Sequence, residues 1–148
     1  MSFNAASTPQ ITGLSGTIFA LVASYAFEGF QAPVESVGVN VAKAGRAIPL
    51  KWRVLDLGGN PVANLTAPPV KVTSAGINCD QLSGQPEEVD AYATGASGLI
   101  NQGSGNYQFN WATDGAWAGT CRRVQLDLGD KNPDGTPQYR TADFRFTR

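Results

Sequence analysis

Asp130, Asn132, Asp134 and Gly135 occupy positions 1, 3, 5 and 6 of the calcium-loop pattern D-x-[DN]-x-[DN]-G. Oxygen ligands alternating on a tight loop suit a hard cation. Position 12 is Thr141 and not the bidentate Glu that completes such a site, and Pro133 stiffens the run. Asp-Gly between strands is also the strongest short hairpin signal, so a plain β-turn is favoured and calcium is the alternative. Glu87, Glu88 and Asp90 form the second group, the raw material for paired carboxylates in glycoside hydrolysis. They lie in a Gly- and Ser-rich stretch with no element to position them, which favours a solvated patch. Lys51 is the third candidate, since a buried lysine beside an acid can close an internal isopeptide bond with Asn or Asp. Alternation places it opposite Leu50 and Trp52, which favours a side chain lying along a sheet surface.

The chain contains no histidine, which removes the commonest general base, the usual serine-protease arrangement and most zinc sites. No Gly loop of the phosphate-cradling kind precedes a helical pattern. The expectation is a protein that is not an enzyme and holds no cofactor other than the calcium in question. The 11 basic and 12 acidic residues leave a net charge of -1, so no cationic face for nucleic acid is implied. Charged residues make up only 16% of the 148, against a usual ~25%.

Aromatic side chains offer a different chemistry. Trp52, Trp111 and Trp117, with Tyr92, Tyr107 and Tyr139, could stack against sugar rings. Tyr107, Phe109 and Trp111 recur at alternate positions, and such runs more often build a core because each ring buries roughly 150–250 Å². Trp117 and Tyr92 are the pair expected nearest a ligand. Trp117 sits in the turn Asp114–Gly119 and is the ring expected to be most exposed, although packing against the disulfide is favoured over ligand contact.

The two cysteines, Cys79 and Cys121, are 42 positions apart. In a reducing cytosol they are buried thiols; in an oxidising compartment they form one crosslink, worth roughly 4 kcal/mol for such a loop. Few charges, abundant Thr, Ser, Asn and Gly, and no thiol spacing for a metal favour the crosslink. Residues 1–16 carry no Lys or Arg, and the apolar run Thr17–Phe27 lacks a basic flank and is too short for a span of ~20 residues. The sequence thus reads as an already processed protein, or as a piece of a longer secreted one, without a membrane span. Asn64-Leu65-Thr66 matches a glycosylation sequon, a three-residue match of little specificity.

The elements that must hold these residues are strands. Ile48, Leu50, Trp52 and Val54 alternate with Lys51 and Arg53; Val124, Leu126 and Leu128 with Arg123, Gln125 and Asp127; Ala142, Phe144 and Phe146 with Asp143 and Arg145. Pro49 cannot donate to a ladder and belongs at a strand start, an edge or a bulge. Leu57–Pro61 and Pro68-Pro69 are breaks. Asp80–Asn106 is the longest connection, with short strands expected around Tyr92 and Leu99-Ile100. About seven short strands and no helical stripe predict an immunoglobulin-like antiparallel β-sandwich, all-β, with one disulfide. Cys121 falls out of phase with Val124, Leu126 and Leu128, so either the disulfide lies on the opposite face or a bulge intervenes near Arg122-Arg123; the bulge is the reading taken.

Several blocks, in order and spacing, resemble a known family. They are Tyr25–Phe30 followed by Pro33-Val34, Val39–Trp52, Gly98-Leu99, Tyr107–Asp114 and Trp117–Arg122. Together they look like the PxKF domain family, over roughly Ser24 to Arg148. Trp52 stands where the signature has Phe, and the hairpin Asp130–Gly135 is longer than the family's usual turn. The resemblance implies an extracellular, non-catalytic accessory module of large secreted or surface-attached bacterial proteins. On that reading the chain is a structural cap, spacer or subunit, with carbohydrate binding or adhesion as the alternative. Residues 1–23 fall outside the resemblance, and residues 11–27 form a weakly charged strand able to pair with its own sheet or with a copy of itself. The expected partners are therefore other domains of a larger surface protein or copies of this chain.

Overall fold

A computed structural model describes residues 25–148 apart from 68, 90 and 94–97. Nine strands form among the described residues: β1 (Ala26–Gln31), β2 (Val39–Lys43), β3 (Ala47–Leu55), β4 (Lys71–Ile77), β5 (Pro86–Glu88), β6 (Leu99–Gly103), β7 (Asn106–Ala112), β8 (Cys121–Lys131) and β9 (Pro137–Thr147). One sheet has the order β4-β8-β9-β2-β5 and the other β1-β3-β7-β6. The chain is an all-β sandwich, as its alternation predicts.

The alternation works because a strand turns successive side chains to opposite faces. Ile48, Leu50, Trp52 and Val54 of β3 are fully buried, and so are Val124 and Leu126 of β8 and Phe144 of β9. Aromatic rings join the layers: Trp111 of β7 lies 5.1 Å from Phe144 and 6.0 Å from Phe146, in tilted edge contacts. Burying each of these large side chains contributes roughly 1.5–3 kcal/mol. Pro49 sits in β3 opposite Asn110 of β7, while β1 ends at Gln31 opposite Lys51, so no β1 residue pairs with the proline.

Three expectations need correction. The sandwich is not purely antiparallel: β2 pairs in parallel with both β9 and β5. Chain reversal by hairpins cannot produce such pairs, which arise because β2 slots between the last strand and a distant short one. No bulge lies near Arg122-Arg123 either, since Cys121 to Asp127 pair one-for-one with β4 and β9. Cys121 is therefore on the face opposite Val124, Leu126 and Leu128. Finally, the strand expected around Leu99-Ile100 forms as β6, but Tyr92 lies outside any strand, and the other short strand of that connection is Pro86-Glu87-Glu88. Its docking depends on glycine. A Cβ on Gly84 (φ +104°) would lie 2.7 Å from the Gly38 Cα, so the two backbones cross where only glycine fits.

Candidate functional site

Asp130 begins the calcium-like run, yet its carboxylate faces inward. Its side chain is fully buried, as is that of Arg140 but for 8%, and the guanidinium grips both carboxylate oxygens, with Nη2 at 2.8 Å from Oδ2. The Tyr25 N–H donates to Asp130 Oδ2 at 3.0 Å, and Arg140 Nη2 donates to the Tyr25 carbonyl at 3.2 Å. Alternation explains the placement, because Asp130 follows Val124, Leu126 and Leu128 in phase, and Arg140 precedes Ala142 and Phe144. This ion pair latches the start of β1, in one sheet, to the β8–β9 hairpin of the other.

The side chains of Asn132 and Asp134 both turn onto Thr136. Asn132 Nδ2 donates to Thr136 Oγ1 at 3.1 Å, and Asp134 Oδ1 accepts from the Thr136 N–H at 3.0 Å. The Thr136 hydroxyl and N–H hold the Asp134 carboxyl below its ordinary value. Gly135 adopts φ +89°, the conformation a hairpin turn asks of it. Asp130, Asn132 and Asp134 thus do not converge, and no group of three or more acidic or cysteine side chains among the described residues is placed to hold a metal ion.

Trp117 and Tyr92 both end half-buried against the core. Trp117 lies in a 3-10 turn, Gly115–Trp117, capped by Asp114, whose side chain accepts from the Ala116 N–H. Its ring packs 5.6 Å from Phe146 and 5.9 Å from Trp111, with the Arg122 guanidinium 4.0 Å above it. Tyr92 reaches the β2–β3 turn: its hydroxyl accepts from the Lys43 N–H at 2.9 Å, and Arg46 lies over its ring. The contacts of both rings serve the fold.

The disulfide Cys79–Cys121 is formed, with the Cα atoms 5.2 Å apart. It ties the short turn after β4 to the first residue of β8. Glu87 and Glu88 are consecutive in β5, so alternation sends them to opposite faces, while Asp90 lies outside the described residues. Lys51 is half-buried in β3, opposite Gln31 and Gln108. Of residues 11–27, only 25–27 are described.

Sequence reasoning missed three polar anchors. The Arg140–Asp130 latch is one; a charged residue in phase with an apolar strand face was its signal. Tyr107 is the second: its buried hydroxyl donates to the Val62 carbonyl at 2.6 Å and accepts from the Leu65 N–H at 3.1 Å, clamping the loop after β3. Asn40 is the third, fully buried, donating to the Glu35 and Asp143 carbonyls and accepting from the Glu35 N–H. No protein-family model matches the chain, and no curated protein matches it well enough to count as a relative.

Proposed function

We propose that this chain is a non-enzymatic structural module, a rigid cap or spacer in a secreted or cell-surface assembly, of the kind its resemblance to PxKF domains implies. The observation that supports this reading most is the use made of its ionic and polar side chains. The buried Arg140–Asp130 pair joins the two sheets at the point where the chain emerges from residues 1–24, and the disulfide braces one of them. A buried pair of this sort fixes geometry more than it adds stability, which suits a part whose work is to hold an orientation. No helix among the described residues is long and apolar enough to cross a membrane, and the disulfide fits an oxidising compartment.

Thiol titration of the protein in its native setting, with surface protease shaving, tests the proposal. No reactive thiol and release of the chain by protease from intact cells are expected. Two free thiols in freshly isolated material, or full protection inside the cell, would overturn it.

A further inference from the structure

Of the six aromatic residues able to serve as a stacking platform, Trp52, Trp111 and Tyr107 are buried and Trp117 and Tyr92 half-buried. Tyr139 alone of the six stands out in solvent, 49% exposed. It lies on β9 between Gln138 and Arg140; since Arg140, Ala142 and Phe144 face the core, Tyr139 and Thr141 face outward. The registers extend this outer surface across three strands. Tyr139 is opposite Asp127, which is opposite Lys71; Thr141 is opposite Gln125, which is opposite Thr73; Asp143 is opposite Arg123, which is opposite Ala75. With strands about 4.8 Å apart and like-facing residues about 6.7 Å apart, the patch is roughly 10 Å by 13 Å.

We propose that this outer face of β4, β8 and β9 binds a neutral polysaccharide, with a pyranose ring stacked on Tyr139. An aromatic face carries negative charge density, which attracts the C–H face of a sugar ring. Equatorial hydroxyls need donors and acceptors at its margin, and Thr73, Gln125, Asp127 and Thr141 supply both kinds. Small side chains at Thr73 and Ala75 keep the surface flat enough for a chain to lie across it. The charges compensate one another: Arg123 is bound to Asp143 at 2.6 Å, and Lys71 faces Asp127 in register. Arg145 and Lys131, one row beyond this patch at either end, are the further cations on these strands. A surface balanced in this way matches an uncharged glycan better than a phosphate- or uronate-bearing polymer. The inference goes beyond the structural role and does not rest on it.

Depletion isotherms of the whole chain on insoluble cellulose, chitin and β-1,3-glucan test it. Retention on at least one is expected, weakened about tenfold or more by Tyr139→Ala, the factor that 1.4 kcal/mol represents. Tyr139→Trp should keep binding, and Ile100→Ala, on the other sheet, should match the parent. Circular dichroism confirms that each variant folds, and an exposed ring is a mild site to change. Absence of retention on all three polymers, unaltered retention of Tyr139→Ala, or retention only on anionic pectin and abolished by salt would each overturn the proposal.

Discussion

Asp130 and Arg140 are the pair on which single-residue changes should fall hardest. Each is buried and hydrogen-bonded to the other, so removing one strands an uncompensated charge, at a cost of roughly 3–5 kcal/mol. Asp130→Ala should therefore shift the urea midpoint strongly, whereas replacing both residues by Leu and Met should recover most of the loss. Equal destabilisation by the single and double changes would contradict the latch. Tyr107→Phe removes one oxygen and leaves the Val62 carbonyl and the Leu65 N–H without that partner, for a loss of about 1–3 kcal/mol in the same assay. Trp52, by contrast, carries a buried indole Nε1 with no hydrogen-bond partner among the described residues. Stacking on Tyr107 at a ring separation of 6.1 Å is what the indole gains.

Turns respond to pH where their carboxylates cap backbone N–H groups. Asp56 accepts from the Asn60 N–H at 2.9 Å and the Gly58 N–H at 2.9 Å, closing the turn after β3. Its carboxyl is held below its ordinary value, first by the Asn60 N–H and also by those of Gly58 and Gly59. Asp134 is lowered by Thr136 in the β8–β9 turn. A folded-state value below the unfolded 3.8 gives stability that is complete above that pH and is lost as pH falls through the lowered value. The amide resonances of Gly58, Asn60 and Thr136 should thus titrate with midpoints below 3.8. Midpoints at or above it would refute the capping. Strand β8 carries the other element-scale prediction. Replacing Cys79 and Cys121 by Ala opens a closed loop of 42 residues, and should cost roughly 4 kcal/mol in equilibrium unfolding while the sheet order survives. Loss below about 1 kcal/mol would show that the bridge constrains little.

At the scale of the whole molecule, the two sheets are held by apolar side chains that strand alternation made visible, and by polar anchors that it did not. Period-two spacing in residues 47–54, 107–111, 124–128 and 142–146 determined the all-β class and the inward face of each strand, because a pleat admits one arrangement that buries one side. The cysteine pair and the turn at Asp134-Gly135 were equally legible, being local or countable. Which strands become neighbours was not. The parallel pairing of β2 with β9 joins residues 39–43 to 143–147, and only packing across the finished sandwich selects it. Residue types alone left an ion loop at Asp130 and a ligand-facing Trp117 open as alternatives; tertiary structure committed the first to Arg140 and laid the second on Phe146. The same folding left Tyr139 outside, since its strand's other face was already needed for the core. Local sequence sets which face of a strand is apolar, whereas the partner across the gap decides what each polar group is free to do.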